Sequence, residues 1–356
     1  MSISRLGTLI VALSLACPAL RAGAVDDGSF QSSLRQAWSG VRDAFGARPV
    51  AGRPAPQADG AFSFAVFSDL HIGMPSAGPR YTRYAGEEDA ATARARSAVA
   101  RINALAQTEN IAYAFILGDL TDSAQPAEFA KAHDILDGLR VPWFPLFGNH
   151  DVWTYSTDSA AAAPEGDALF AKTFADRFSG VEHPDRTVWD PERRLPVRLQ
   201  NFELRRDGFV FIALDWNTRK HALPGLKGSL PDGDLHDFPG GTLPWLRERL
   251  ALLPASTKRV FFLQHQPFRT TAPIPDWEFA FTSAEKAIFR AALAAAPPLG
   301  RYYGVFAGHT HVEYNGTAFD EWPVFAQHVL AACKDPQQVM LVRVSADGTV
   351  QVVPNP

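Results

Sequence analysis

Five short apolar runs, each breaking off in side chains rich in nitrogen and oxygen, constrain this chain more than any other feature. Residues 143–147 run straight into Gly148-Asn149-His150-Asp151. Phe62–Phe67 leads into Ser68-Asp69-Leu70-His71, and residues 112–117 into Gly118-Asp119-Leu120-Thr121-Asp122. Residues 260–263 end in Gln264-His265-Gln266-Pro267, and Tyr302–Ala307 ends in Gly308-His309-Thr310-His311. Apolar runs of this length, bounded by turn residues, read as buried strands. Carboxylate, imidazole and amide groups are costly to bury without partners, so something at these strand ends must hold them. In open α/β sheets the carboxyl edge of the strands is where ligands bind. Gly148 reads as the residue that lets the backbone turn sharply after its strand.

The spacing between the runs supplies the architecture. Residues 87–107 read as an Ala-rich helix with Val99, Ile102 and Leu105 inward, and residues 127–139 as a second helix. Strand, helix, strand, helix, strand is the order of parallel pairing with right-handed crossovers. Residues 152–196 break that rhythm, with one helix expected over 167–178. Phe209–Leu214 is a further strand, ending in Asp215-Trp216-Asn217, and a Gly- and Pro-rich excursion fills 218–241. Residues 242–253 carry Leu243, Leu246 and Leu250 at helical spacing beside Trp245. Residues 283–296 read as a helix with Ser283 as its cap. Residues 339–344 and 349–353 form a hairpin through Asp347-Gly348, so the sheets are expected to be mixed.

The N-terminal 24 residues read as a secretory signal. Arg5 gives the positive start, residues 9–16 a short apolar run, and Ala22-Gly23-Ala24 a small-x-small cleavage site. That run is too short to span a bilayer, and Cys17 stands in a poor lipoprotein context. The destination expected is periplasmic or secreted. Residues 29–45 follow as an amphipathic helix, with Phe30, Leu34, Trp38, Val41 and Phe45 on one face. Its polar face is not strongly basic, which favours packing on its own domain over a membrane surface. A Pro- and Gly-rich linker runs to residue 60, leaving 61–356 as one large domain. The net charge of −4 becomes −6 once Arg5 and Arg21 leave, which argues against a nucleic-acid groove. It does not argue against a phosphate substrate, because bound cations dominate the local field. Cys333, left alone after cleavage, reads as a small buried hydrophobe.

The ordered set Asp69-x-His71, Gly118-Asp119, Gly148-Asn149-His150-Asp151, His265 and Gly308-His309-x-His311 resembles the calcineurin-like metallophosphoesterase family, over most of the mature chain. The fold this resemblance implies is α/β, two mixed β-sheets packed face to face with helices outside, a four-layer sandwich. The implied cofactors are two metal ions. The first would sit on Asp69, His71, Asp119 and His311, the second on Asp119, Asn149, His265 and His309. Asp119 is the expected bridge, since one carboxylate offers two oxygens. A hydroxide between the metals would attack a phosphomonoester or phosphodiester. His150, held by Asp151, would protonate the leaving group without touching a metal. Imidazole, carboxylate and amide donors without thiolate suit Fe, Mn or Zn. The family's purple acid phosphatases carry a metal-bound Tyr where this chain has Asp122, which argues against that subgroup. Gln266, where many relatives carry a second His, is not expected to be a ligand.

A metal-holding binding protein without catalysis is the competing reading, and the intact His150 and Asp151 favour the enzyme. A serine hydrolase is excluded, as the chain has no Gly-x-Ser-x-Gly elbow. The expected partner is a small phosphorylated substrate of open identity. Trp153, Tyr155, Trp216, Asn217, His221, Phe268, Arg269 and Trp277 are the loop residues that could contact it, or could equally cover the domain's own core. His133, His183, His236 and His328 stand alone and read as structural.

Overall fold

The computed structural model describes residues 60–75, 83–152, 165–183, 187–192, 194–219, 231–271, 273–333 and 338–356. The signal, the 29–45 helix and the linker up to residue 59 lie outside the described residues, as do Trp153, Tyr155 and His221.

Two mixed sheets carry the fold. The first has the order β13 (Val350–Pro354), β12 (Met340–Val344), β1 (Phe62–Phe67), β2 (Ile111–Ile116), β3 (Trp143–Pro145). Within it β1, β2 and β3 are parallel, and the C-terminal hairpin adds antiparallel on the far side of β1. The second has the order β10 (Tyr314–Thr317), β11 (Ala326–Val329), β9 (Tyr302–Ala307), β8 (Arg259–Gln264), β7 (Phe209–Leu214), β6 (Phe202–Arg206). Its four inner strands are parallel and its two edge strands antiparallel.

Phenylalanines join the sheets. Phe64 of β1 meets Phe211, Phe261 and Phe306 of the other sheet edge-on, with ring centroids 5.1, 5.3 and 5.5 Å apart. Edge-to-face contact is the favoured geometry for such rings. On β7, Phe209, Phe211 and Ala213 enter this shared core, while Val210, Ile212 and Leu214 face a second cluster under the helices. Burial on both faces explains why these strands read as unbroken apolar runs. Helices α1 (Ala90–Leu105) and α2 (Pro126–Leu136) pack with the first cluster. The helix α3 (Glu165–Thr173) adds Phe170 to the same cluster. The second sheet's outer face is covered by α4 (Thr242–Ala251) through Leu243, Leu246 and Leu250. The one-turn α5 (Asp276–Phe279) follows, and α6 (Ser283–Ala294) adds Phe289 and Leu293.

Several local readings change. The cap of α6 is Thr282 and not Ser283: its hydroxyl accepts from Glu285 N at 3.2 Å, and Glu285 answers by accepting from Thr282 N at 2.9 Å. This reciprocal pair satisfies two otherwise orphaned donors. The helix expected over 167–178 is α3 followed by a separate 3-10 turn, Ala175–Phe178. The hairpin of β4 (Thr187–Asp190) and β5 (Leu195–Arg198), and strands β6, β10 and β11, were not legible. β11 hides behind two buried polar residues. Gln327 accepts from Phe268 N at 2.8 Å and Arg269 N at 3.0 Å, and His328 bonds Tyr303 Oη at 2.9 Å. Cys333 is buried, which pushes its thiol up to about 12.

Candidate metal centre

The C-terminal ends of β1, β2 and β3 and those of β8 and β9 meet at one edge of the sandwich, and their polar tails interlock. Asp69 N donates to Gly118 O at 3.1 Å and His71 N to Asp119 O at 3.0 Å. Across the sheets, His309 N donates to both oxygens of Asp69 at 3.1 and 3.2 Å. Asp69, His71, Asp119, His309 and His311 all have positive φ, between 48° and 75°. Most side chains avoid that region, although Asp and His tolerate it better than others. Such conformations cost about 1–3 kcal/mol each and persist where the surroundings over-determine them. Gly148 departs from its expected role: its φ of −110° is ordinary. A Cβ there would lie 2.1 Å from Asp119 N, so the glycine supplies room for two strand ends to touch.

All seven residues expected to bind metal are brought together. Ligating atoms of Asp69, His71, Asp119 and His311 lie within 4.8 Å of one another, and so do those of Asp119, His265 and His309. Asn149 joins the second group through Oδ1, 3.0 Å from His265 Nε2. Asp119 belongs to both, but through one atom. Its Oδ2 is 3.7 Å from His71 Nε2 and 3.2 Å from His265 Nε2. Its Oδ1 is engaged by His150 N at 2.8 Å. A single oxygen, Oδ2, thus faces both groups.

These contacts set lone pairs against one another. His265 Nδ1 is 2.7 Å from Leu117 O; a carbonyl only accepts, so Nδ1 carries the hydrogen and neutral Nε2 is a bare acceptor. That lone pair faces two further acceptors, Asp119 Oδ2 and Asn149 Oδ1. Only a proton or a cation can reconcile them. Burial opposes charge on His265, but the Asp119 and Asp69 carboxylates outweigh it and raise the ring to about 9. In the other group, His71 Nε2 and His311 Nε2 point at each other across 3.0 Å, with Asp69 Oδ1 3.3 Å from His311 Nε2. Ligands around a tetrahedral ion with ~2.0–2.1 Å bonds stand ~3.3–3.4 Å apart, so the donor spacing fits a cation. Burial holds His71 down to about 4 against the pull of Asp122, which keeps the ring neutral and able to donate its lone pair. Burial alone would raise Asp69, but the His311 ring brings it down to about 2.

The supporting residues were partly misread. Asp151 does not hold His150. It is fully buried, and it accepts from Gly148 N at 2.9 Å, Leu120 N at 3.2 Å, and Thr121 N and Oγ1 at 2.9 and 2.8 Å. It ties the Asn149 turn to the Asp119 loop, so its catalytic assignment is corrected to a structural one. Asp151→Ala leaves three buried N–H groups unpaired and should lower stability by roughly 3–6 kcal/mol. Denaturant unfolding measures this; an unchanged midpoint with lost turnover would return Asp151 to the chemistry. His150 is held instead by Asp122, whose backbone carbonyl lies 2.8 Å from Nδ1. The Asp122 carboxylate is 3.4 Å from His71 Nδ1. Its place three residues after Asp119 was the available signal. Asp232, 3.2 Å from His309 Nε2, orients that ring from the excursion between β7 and α4, and no motif announced it. Carboxylates behind metal-binding histidines fix ring orientation and tautomer.

Of the loop candidates, Trp216, Asn217 and Phe268 are buried and have no opening to substrate. Asn217 Nδ2 donates to Phe147 O at 2.6 Å and its Oδ1 accepts from Gln266 Nε2 at 2.6 Å. Gln266 thus braces the strand before Asn149 through Asn217. Arg219, fully buried, pairs with Asp215 at 2.8 Å and lies 4.9 Å over the Phe147 ring. Arg269 pairs with Asp320 at 2.6 Å. The Trp277 side chain lies outside what is described. The four lone histidines are structural: His183 stacks on Phe178 at 4.5 Å, and His133, His236 and His328 have partners remote from the cluster.

A family model for calcineurin-like phosphoesterases matches residues 62–313. The chain belongs to the calcineurin-like phosphoesterase family. This assignment supports metal-dependent hydrolysis of phosphate esters in general. No curated protein sequence matches the chain. Among solved structures it is similar to a dimetal phosphatase from Danio rerio, at 15% identity and a TM-score of 0.54, over 84% of this chain and 100% of that one. It also matches a purple acid phosphatase from yellow lupin, Lupinus luteus, at 13% identity and a TM-score of 0.45, over 84% of this chain and 54% of that one. A calcineurin-like phosphoesterase from Bacillus subtilis matches at 12% identity and a TM-score of 0.41, over 83% of this chain and 91% of that one. Among the described residues no helix is long and apolar enough to cross a membrane.

Proposed function

We propose that this calcineurin-like phosphoesterase hydrolyses a small phosphomonoester or phosphodiester with two metal ions, drawn from Fe, Mn and Zn. One would be held by Asp69, His71, Asp119 and His311, and the other by Asp119, Asn149, His265 and His309. The single observation that carries the reading is the position of Asp119 Oδ2, which stands between both histidine groups, 3.7 Å from His71 Nε2 and 3.2 Å from His265 Nε2. Two cations held there would neutralise phosphoryl oxygens and lower the pKa of water to near 7.

The chain's own groups do the rest. His71, His265 and His309 are buried, which excludes bulk water from the inner side of the site. Asp122 and Asp232 keep two of those rings aimed. His150 is 18% exposed in its side chain and lines the cavity. Its Nδ1–H donates to Asp122 O, so Nε2 is the nitrogen left to face a substrate, and it would carry the transferable proton in the imidazolium form. Giving that proton to the departing oxygen is general acid catalysis. A protein that only held metals would leave this placement of His150 without a use. The signal read over residues 1–24 puts the activity in the periplasm or outside the cell. The test is a turnover screen of the purified chain, reconstituted with each metal in turn, on mono- and diester panels. Turnover of at least one ester class is expected; inactivity on every ester with every metal would overturn the proposal.

A further inference from the structure

The proposed centre opens into a cavity of about 200 Å³. Polar residues of the site, Asp119, Asn149, His150 and His309 among them, line it on one side, and two apolar side chains, Ile274 and Phe279, complete the lining. Both are half-buried, so each packs part of its surface inward and leaves part open. The Phe279 ring lies 5.8 Å from the His309 ring at 45°.

This apolar wall is built rather than incidental. Thr270 N and Oγ1 both donate to Asp276 Oδ1 at 2.7 Å, and Lys286 Nζ reaches the other Asp276 oxygen at 2.6 Å. The one Thr270 hydroxyl hydrogen is shared with Ile274 O, and Ile274 N donates to Thr271 O at 2.9 Å. On the far side of α5, Asp232 N donates to Glu278 O at 2.7 Å and Gly233 N to Ala280 O at 2.9 Å. The segment that presents Phe279 is thereby laced to the segment whose Asp232 orients His309. Wall and metal centre are held in one frame. A wall fixed before binding loses little side-chain freedom when a ligand arrives.

We infer that Ile274 and Phe279 form an apolar subsite that selects phosphate esters whose organic group carries an aromatic or branched apolar face close to the phosphate. The inference rests on the proposed hydrolysis for its reaction and on the cavity for its selectivity. The cavity is smaller than the ~300–1,000 Å³ usual for drug-sized ligands. It suits one compact group beside the phosphoryl oxygens, such as a phenyl ring, better than a long polar chain.

Phosphonates test this without turnover. Calorimetry on the metal-loaded protein compares phenylphosphonate with methylphosphonate, which share the anionic head and differ in the apolar face. Phenylphosphonate should bind ~10-fold tighter, the effect of taking about half a ring out of water. In Phe279→Ala that preference should shrink to ~2-fold, with Phe279→Leu and Ile274→Ala between the two. A second arm takes the ratio of kcat/KM for phenyl phosphate, and for a nucleoside 5′-monophosphate, over that for glycerol phosphate. A raised phenyl ratio alone assigns the wall to compact aryl groups; a raised nucleotide ratio assigns it to a base. Melting temperature and bound metal confirm that each variant is folded. Equal binding of the two phosphonates by wild type, or a preference that survives Phe279→Ala in folded protein, would overturn the subsite. A phenyl preference without turnover of any ester would leave the subsite standing and count against hydrolysis.

Discussion

Asp119→Asn should cut turnover by ~10³-fold or more and leave the chain with less than two metals bound. Among the described residues, Asp119 is shared by both histidine groups, and its Oδ2 faces both. Losing its charge weakens both positions at once, and ~4 kcal/mol of lost charge stabilisation is a factor of ~10³ in rate. The amide would still accept from His150 N through the oxygen that replaces Oδ1, so the turn should survive and the effect should be electrostatic. Elemental analysis and turnover on the same sample measure it. The bridge assignment fails if Asn149→Ala or His309→Ala abolishes turnover while Asp119→Asn retains it.

The second large effect belongs to His150. Its Nδ1 is fixed by the Asp122 carbonyl and its backbone N–H by Asp119, and its ring falls in a separate cluster with His71 and Asp122, outside the two groups that share Asp119. His150→Ala should therefore leave bound metal nearly unchanged. Turnover should fall by ~10²–10⁴, the usual contribution of a general acid. The loss should depend on the leaving group. A phenolate that departs readily needs little protonation, so an activated aryl phosphate should suffer least. An alkyl ester should suffer most. Equal losses on both substrates, or the loss of a metal, would show that His150 serves the site in another way.

What the sequence made legible follows the physics of burial. Buried strands are continuous apolar runs, and the ends of β1, β2, β3, β8 and β9 carry the seven candidate ligands, so these strands could be read directly, as could β7. Edge strands such as β6 and β10 carry polar residues on an exposed side and hide in the pattern. Buried polar strands hide too, as Gln327 and His328 on β11 demonstrate. The support of the site was less visible than its ligands. Asp151 sits beside His150 in sequence, yet its four hydrogen bonds go to Gly148 in its own turn and to Leu120 and Thr121 after β2, because a tight turn sends adjacent side chains apart. Asp122 was noticed only for the Tyr it replaces. Asp232, Ile274 and Phe279 come from loops whose composition says nothing about where they fold. The strained φ of Asp69, His71, Asp119, His309 and His311 marks the site plainly, and no sequence pattern encodes it.

The most direct measurement is the metal content of the mature chain, purified without chelator and then titrated with Fe, Mn or Zn. Two acceptor clusters that share Asp119 Oδ2 require about two ions per chain, and removing them with chelator should abolish turnover that metal restores. A chain that holds no Fe, Mn or Zn and takes up none on titration would contradict the dinuclear centre.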